Sequence, residues 1–307
     1  MKYKYDMNVV EINGVSKRYG KVEALNEISL QIAKGEIYGL IGPDGAGKST
    51  LFRIMTSLIK PDKGCVKVLG FDSVNDYKEI RGRVGYMPGR FSLYQDLSVI
   101  ENINLFATVF NTSLKENYRL IEDIYKQIEP FKNRRAGALS GGMKQKLALC
   151  CALIHKPDIL FLDEPTTGVD PVSRREFWEI LKRLNNEQIT VIVSTPYMDE
   201  AKQCSKISLI RDGKIIKTDS PEMIVADFKK DIVEVSSKNM FELLKFLRKL
   251  NSVDLAYTYG DKHHVILKDR ISISDFESEI KSVGHEGLDF CCVKPTIEDY
   301  YIYFSNN

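Results

Sequence analysis

The chain has 307 residues, of which 43% are hydrophobic and 28% are charged, with a formal net charge of +2. This is an ordinary globular composition, and so small a positive excess gives no basis for nucleic-acid binding. The longest apolar run, Leu147–Ile154, is far shorter than the ~20 residues of a membrane-spanning helix, so a transport function would require a channel supplied by another chain.

The first part of the chain alternates between strand and helix patterns. Residues 8–41 are rich in strand-forming residues and end in a short apolar run. A helical pattern follows Lys48 and ends at Pro61, and two further strand patterns come after it. Residues 98–155 are expected to be mostly helical, with a break at Pro130.

Two apolar runs, ILFLDEP and ITVIVST, enclose a helical pattern over Phe177–Leu184, and the next segment predicts a hairpin that turns at Asp212-Gly213. Apolar strands separated by helices predict a mostly parallel sheet. After Pro221 strand and helix patterns alternate again over a shorter stretch. We therefore expect a first domain over residues 1–222 and a small α+β domain over residues 223–307.

The six cysteines form no CxxC pair, and the first residues contain no apolar signal segment. These features predict a cytosolic chain with reduced thiols. The adjacent pairs Cys150–Cys151 and Cys291–Cys292 lie in apolar runs, so we expect them to be small buried side chains.

A phosphate-binding pattern follows the third predicted strand. It fits GxxxxGK[ST], and its residues are Gly42, Pro43, Asp44, Gly45, Ala46, Gly47, Lys48 and Ser49, followed by Thr50. Glycines let backbone N–H groups turn toward phosphate oxygens, and the following helix directs its positive end at them. Lys48 is then expected to contact the β- and γ-phosphates of ATP, and Ser49 to ligate magnesium (Mg2+). A plain glycine-rich turn after a strand is the alternative.

Two carboxylates stand where a later apolar strand ends. Asp163 suits the magnesium-binding carboxylate of P-loop enzymes, and Glu164 is placed to orient or deprotonate the attacking water. Many strands end in acidic residues, so this signal gains its weight from the phosphate loop that precedes it.

A third motif makes a family resemblance visible. The segment Leu139–Gln145 resembles the LSGGQ signature of ABC ATPases, with Met143 in place of the usual glutamine. The resemblance implies that Ser140, Gly141 and Gly142 contact the γ-phosphate held by a partner subunit in a head-to-tail dimer. A helix N-cap by Ser140 is compatible with that role.

Other segments match the same family in the same order. Tyr19 corresponds to the ring that stacks on adenine, with a half-buried strand tyrosine as the alternative reading. Asp170 lies in a segment similar to the D-loop, which links the two nucleotide sites. Residues 91–102 resemble the segment that meets the membrane subunit.

Within the family, the chain resembles the ATPases of ABC-2-type multidrug and daunorubicin-resistance-like exporters. It is carried by the phosphate loop, by Asp170–Trp178, and by the tail Pro295–Tyr300. It implies a P-loop ABC ATPase fold with a mixed sheet core, an N-terminal antiparallel β part and a helical signature subdomain over about residues 90–156. It also implies ABC-2-type permease partners and a peripheral position on the cytoplasmic face of the cell membrane.

Two residues depart from the family pattern. Gly89 stands where the family has glutamine, and Pro196 stands where it has histidine. Both replacements remove a polar side chain, so we expect slow hydrolysis at this chain's own site and intact ATP binding. Three alternatives stay open: a degenerate member of a heterodimer, a homodimeric motor of modest turnover, and a soluble ATP-switched module unrelated to transport.

Overall fold

The computed structural model describes residues 8–269, 271–281 and 286–306. The chain divides into two units, of which the first ends at Pro221 and the second begins at Glu222. Across the described ranges, no helix combines the length and the apolar character needed to cross a lipid bilayer.

The strands and helices are numbered in chain order. The strands are β1 (Asn8–Tyr19), β2 (Val22–Ala33), β3 (Ile37–Ile41), β4 (Lys63–Val68), β5 (Phe71–Asp72), β6 (Val84–Met87), β7 (Ile159–Asp163), β8 (Thr190–Thr195), β9 (Lys206–Arg211), β10 (Lys214–Asp219), β11 (Ile232–Ser236), β12 (Val253–Tyr259), β13 (Lys262–Leu267) and β14 (Asp289–Val293). The α-helices are α1 (Lys48–Met55), α2 (Tyr77–Arg83), α3 (Val99–Val109), α4 (Leu114–Ile128), α5 (Gly141–Leu153), α6 (Pro171–Asn186), α7 (Pro221–Asp227), α8 (Met240–Leu247), α9 (Ile273–Lys281) and α10 (Ile297–Asn306).

The central sheet of the first unit has the strand order β10-β9-β3-β8-β7-β6. Its neighbours pair in parallel, except for the β9–β10 hairpin, which turns at Asp212-Gly213 as expected. Strands β3, β7 and β8 are buried along their whole length, which is typical of parallel strands with both faces covered. The predicted mostly parallel sheet is confirmed. Because Ile41 pairs with Thr195 and Asp163 pairs with Ser194, the three strands end at the same edge.

A second sheet of the first unit is antiparallel, in the order β2-β1-β4-β5, and forms the expected N-terminal β part. Its apolar side chains join one core with the central sheet: Val10 and Ile12 of β1 pack in the same cluster as Phe52 of α1 and Phe161 of β7. Tyr19, at the end of β1, pairs with Val22 at the start of β2.

Helices α3, α4 and α5 pack on one another and form the expected helical region. Ser98 begins α3 with a capping box, in which its side chain and that of Glu101 satisfy each other's backbone N–H groups. Helix α4 ends at Ile128, and Pro130 lies in a 3-10 turn directly after it. The predicted break at Pro130 is therefore confirmed.

The second unit has an antiparallel sheet in the order β12-β13-β11-β14. The sequence patterns after Pro221 did not include β12, which pairs with β13 in a hairpin. The expectation that Cys291 and Cys292 are buried is wrong, because both are exposed on the edge strand β14. Cys150 and Cys151 of α5 are buried as expected.

The last helix of the second unit is attached to its sheet through one buried carboxylate. Asp299 is fully buried and accepts hydrogen bonds from the backbone N–H of Thr296 at 2.6 Å and its hydroxyl at 2.7 Å. Its other oxygen accepts hydrogen bonds from the His264 ring, at 2.6 Å from Nδ1, and from the Tyr257 hydroxyl. Thr296 thus caps α10, and residues of β12 and β13 bind the Asp299 carboxylate in the first turn of that helix.

Candidate functional site

The phosphate loop joins the end of β3 to the start of α1. Lys48 is the first residue of the helix, and its side chain is almost completely buried. Its Nζ donates to the carbonyl oxygens of Gly42 at 2.8 Å and Pro43 at 2.9 Å, so the lysine folds back across the loop. Gly47 has a φ of +103°, and a Cβ there would lie 2.4 Å from the carbonyl oxygen of Ala24. Only glycine fits at that position.

The two carboxylates at the end of β7 lie beside this loop. Oε1 of Glu164 is 3.1 Å from Nζ of Lys48, while Asp163 is buried at the last position of the strand. Glu164 has a φ of +51°, a left-handed conformation that turns the chain sharply after the strand. The sheet therefore brings together the lysine and the glutamate that the sequence assigned to ATP.

Ser194 on β8 connects the two carboxylate residues, and the sequence reading did not identify it. Its Oγ donates to Oδ1 of Asp163 at 2.6 Å and accepts from the backbone N–H of Glu164 at 3.0 Å. The serine is fully buried, so both bonds form away from water. The signal available in sequence was a small hydroxyl residue at the end of a buried strand, which is too common a feature to single out.

A pocket opens in front of the phosphate loop, on the side of β2 and the β9–β10 turn. Its lining residues are Val22, Glu23, Ala24, Gly45, Gly47, Lys48, Ser49, Thr50, Glu164 and Asp212. Ser49 and Thr50 lie in the first turn of α1, where helix N–H groups have no intrahelical partner. A hydroxyl on Ser49 and a carboxylate on Asp163 are the hard oxygen donors that magnesium prefers, so the residues present suit that ion.

Tyr19 ends β1 with 46% of its surface exposed. This exposure is compatible both with a ring that stacks on adenine and with the alternative of a half-buried strand tyrosine. Nζ of Lys17 lies over this ring, 5.9 Å from the ring centroid, at the outer limit of a cation–π contact.

The signature segment lies next to the D-loop segment rather than in the pocket. Ser140 is the N-cap of α5 and accepts from the backbone N–H of Met143 at 3.4 Å. A Cβ on Gly142 would meet Oγ of Ser173 at 3.0 Å, and a Cβ on Gly141 would meet the carbonyl oxygen of Gly168 at 3.5 Å. The start of α5 therefore packs closely against the segment that leads into α6.

Asp170 is the N-cap of α6. It accepts from the backbone N–H groups of Ser173 at 3.0 Å and Val172 at 3.1 Å. These hydrogen bonds, with that of Ser173 first, hold the pKa of the Asp170 carboxyl below its ordinary value. The carboxylate is exposed, so its negative charge is presented at the surface beside the signature segment.

The predicted site residues thus fall into two groups. The first contains the phosphate loop, Lys48, Asp163 and Glu164, and the second contains Ser140–Gly142 and Asp170. Over the described part of the chain, no hydrogen bond or ion pair joins Ser140 or Asp170 to Lys48 or Glu164.

The two departures from the family pattern lie at the ends of strands beside the first group. A Cβ on Gly89 would be 3.1 Å from the carbonyl oxygen of Asp163 and 3.7 Å from Cβ of Glu164. Pro196 follows β8 directly, two residues after Ser194. Burial, followed by the negative charge of Asp163, raises the pKa of nearby Tyr86 to about 12, so its phenol stays protonated.

An apolar groove lies between the end of β6 and helices α3 and α5. Its lining includes Pro88, Leu93, Phe106 and His155. The His155 ring stacks on Phe110 with centroids 3.8 Å apart, and burial lowers the pKa of the imidazole. The histidine is therefore a packed residue of this groove.

The loop before α3 is held by one buried side chain. Asn102 accepts a hydrogen bond from the Tyr94 backbone N–H at 3.1 Å. Its amide group donates to the carbonyl oxygens of Tyr94 and Ser98 at 3.0 Å and of Leu97 at 3.2 Å. These bonds fix the loop's shape and leave the Tyr94 side chain 60% exposed.

Comparison with known proteins places this arrangement in a family. Residues 25–167 match the family model described as ABC transporter. YbhF of Escherichia coli (strain K12), a probable multidrug ABC transporter ATP-binding protein, is 36% identical over 302 residues, which are 96% of this chain and 51% of YbhF. The chain therefore spans about half the length of that relative.

Two further relatives match this chain over most of their own length. The daunorubicin resistance ATP-binding protein DrrA3 of Streptomyces coeruleorubidus is 29% identical over 306 residues, 97% of this chain and 96% of DrrA3. The Nod factor export ATP-binding protein I of Burkholderia lata is 34% identical over 230 residues, 74% of this chain and 76% of that protein.

Solved structures also resemble part of the chain. The ATP-binding cassette MJ0796, a dimer in a post-hydrolysis state bound to ADP and Pi, has a TM-score of 0.63 and 28% identity, and covers 69% of this chain and 98% of its own. The fold and the phosphate loop thus define a P-loop protein with the ABC ATPase fold. The chain belongs to the family of ABC transporter ATP-binding proteins.

Proposed function

We propose that the chain binds ATP with magnesium in the pocket in front of the phosphate loop. The observation that carries this proposal is the position of Lys48, whose buried ammonium group lies among the loop carbonyls of Gly42 and Pro43 and 3.1 Å from Glu164. Backbone N–H groups of residues 45–50 bind the phosphates, and Tyr19 stacks on the adenine. Ser49 and Asp163 hold magnesium, which when bound neutralises phosphate charge.

We further propose that the chain hydrolyses ATP with Glu164 as the group that orients or deprotonates water. The Ser194 hydroxyl fixes the Asp163 carboxylate and the backbone of Glu164, so both acids keep their positions during turnover. Gly89 and Pro196, which lie beside these two acids, have no side-chain hydrogen-bond donor. We expect slow ATP hydrolysis at this site for that reason.

The second group of residues serves a partner's nucleotide. Ser140–Gly142 lie at the start of α5, where the backbone N–H groups of a first helical turn favour anions, and Asp170 caps the start of α6 beside them. We propose a head-to-tail dimer with a second ABC ATPase subunit, identical or different, in which these residues complete the partner's site. Support comes from the dimeric state of the related cassette with ADP and Pi.

We propose that this dimer drives ABC-2-type transmembrane permease subunits in export, from the cytoplasmic face of the membrane. The names of the drug-resistance, multidrug and Nod factor relatives support this role. The exposed loop around Tyr94 and the neighbouring groove are the surface assigned to the permease. In this assignment residues 1–222 are the nucleotide-binding domain, with its helical subdomain over about residues 90–156, and residues 223–307 are an accessory domain.

The test is to express the chain alone and together with membrane proteins encoded beside it, and to measure ATP turnover in both preparations. Turnover that rises in the assembly and is lost in Glu164→Gln supports the proposal. Brisk turnover of the chain alone, abolished by Glu164→Gln, would assign a self-sufficient homodimer instead. Co-purification with ribosomes rather than membranes would contradict the transport role.

A further inference from the structure

The turn between β9 and β10 contacts the phosphate loop through one residue. The backbone N–H of Gly213 donates to the carbonyl oxygen of Ala46, inside the loop, at 3.1 Å. The carbonyl oxygen of Gly213 accepts from the backbone N–H of Asn26, on β2, at 2.8 Å. Gly213 therefore links the phosphate loop of the central sheet to the strand of the antiparallel sheet that lines the same pocket.

The same residue is closely packed against backbone. Gly213 has a φ of +72°, and a Cβ there would lie 2.8 Å from the carbonyl oxygen of Ala24 and 3.0 Å from Cα of Leu25. Gly47 of the phosphate loop approaches that carbonyl oxygen too, with its Cβ position 2.4 Å away. The Ala24 carbonyl thus has a glycine of the loop and a glycine of the turn as close neighbours, and neither can carry a side chain unless β2 moves.

We propose that Gly213 is a positioning residue for nucleotide binding, which holds the phosphate loop in its position relative to β2. The inference rests on the proposed ATP binding at this pocket. Asp212 lines the pocket together with Lys48 and Ala24, so a shift of the turn displaces the pocket wall and the loop at once. Gly213 is not among the residues that line the pocket, and it acts through the Ala46 carbonyl.

The chain contains a matched control for this glycine. Gly260 occupies the turn of the β12–β13 hairpin with a φ of +60°, and a Cβ there would meet nothing within 4 Å. Alanine is strained at positive φ in both turns, whereas asparagine tolerates that conformation. Asparagine at Gly213 therefore relieves the backbone strain and keeps the collision with Ala24.

The test measures binding of a fluorescent ATP analogue with magnesium to the full-length chain and to Gly213→Ala, Gly213→Asn, Gly260→Ala and Gly260→Asn. Both Gly213 variants are expected to bind about 10-fold more weakly or worse, because overpacked backbone must shift. Both Gly260 variants are expected to bind like the original chain. Equal affinity of Gly213→Asn and the original chain, or equal losses at both turns, would overturn the proposal.

A second measurement needs no variant and covers the case in which Gly213 variants fail to fold. Hydrogen exchange of the original chain, with and without ATP and magnesium, should slow at the amides of Gly213 and Asn26 and stay unchanged at Gly260. Unchanged exchange at Gly213 while ATP is bound overturns this inference alone. A chain that binds no ATP would overturn both this inference and the proposed function.

Discussion

The ammonium group of Lys48 and the carboxylate of Glu164 form an ion pair 3.1 Å long at the junction of the phosphate loop and β7. The two residues meet because β3 and β7 both flank β8 in the parallel sheet and end at the same edge. In the proposed reaction Lys48 turns its charge to the phosphates and Glu164 turns its charge to water. Nucleotide binding must therefore break this pair, and several expectations depend on it.

Glu164→Gln should lower the rate of ATP hydrolysis by about 100-fold or more, because a positioned base contributes ~10²–10⁴-fold. The same change should tighten ATP binding by up to about 10-fold, since a neutral amide competes less for the Lys48 ammonium group. Turnover and analogue binding measure the two effects. Glu122→Gln is the control, because Glu122 pairs with Lys126 on α4 at 2.7 Å and neither residue belongs to the proposed nucleotide site. Weaker binding by Glu164→Gln would contradict this account.

Ser194→Ala should destabilise the first unit by about 1–3 kcal/mol, because the buried Asp163 carboxylate loses its hydroxyl donor, while the Glu164 N–H keeps the Ser194 carbonyl oxygen at 3.0 Å as an acceptor. The free energy of unfolding can be followed by the fluorescence of Trp178, the single tryptophan of the chain. The rate of hydrolysis by Ser194→Ala should fall by more than the loss of folded protein accounts for, because the Asp163 carboxylate loses the hydroxyl that holds it. The rate should fall less in Ser194→Thr, which keeps a hydroxyl group. Equal hydrolysis by all three proteins would exclude a positioning role for Ser194.

Restoring the missing glutamine should speed hydrolysis at this chain's own site. A hydrogen bond to a charged group contributes about 1.5–3 kcal/mol, so Gly89→Gln should raise turnover by about 10-fold or more if the new side chain reaches the attacking water. The Cβ position 3.1 Å from the Asp163 carbonyl oxygen requires a small local adjustment. Gly82→Gln is the matched control, because a Cβ at Gly82 meets nothing within 4 Å. Unchanged turnover in Gly89→Gln would remove Gly89 as a cause of slow hydrolysis.

The second unit should show a pH-dependent contribution from Asp299. Burial alone would raise the pKa of this carboxyl, but hydrogen bonds from His264, Thr296 and Tyr257 outweigh burial and lower it. A folded-state pKa below the unfolded value of ~3.9 stabilises the fold above that pH, and the contribution is lost as pH falls through the folded pKa.

Asp299→Asn should therefore destabilise the second unit at neutral pH by about 1.5–3 kcal/mol. The difference between the original chain and the variant should shrink below about pH 4. Hydrogen exchange of α10 and β13 amides at several pH values measures this difference. A difference that stays constant from pH 7 to the acid limit would contradict the assigned role of the carboxylate.

Residues that act through local sequence could be predicted, and residues brought together by the sheet order could not. The phosphate loop is one continuous segment whose glycines and lysine carry their own geometry, so the pattern alone placed Lys48 at a helix start after a buried strand. Ser194 and Gly213 are far from that segment in sequence. They reach it only because β8 and β9 both neighbour β3, a pairing that no local pattern specifies.

The missed features of the second unit have a similar cause. Strand β12 has only partial alternation of buried and exposed residues, and its identity depends on pairing with β13. Cys291 and Cys292 were expected inside because they are apolar, whereas β14 lies at an edge of the sheet and leaves them exposed. Their burial depends on the sheet order, which the sequence does not state.

The most direct test of the account is equilibrium binding of a fluorescent ATP analogue with magnesium to the full-length chain and to Lys48→Ala. The account predicts saturable binding of one analogue per chain. It also predicts binding weaker by about 30-fold or more in Lys48→Ala, because the variant loses the charge pair between Lys48 and the phosphates. Truncating one partner of a buried charge pair costs about 2–5 kcal/mol. No saturable binding to the original chain, or the same affinity in Lys48→Ala, would contradict it.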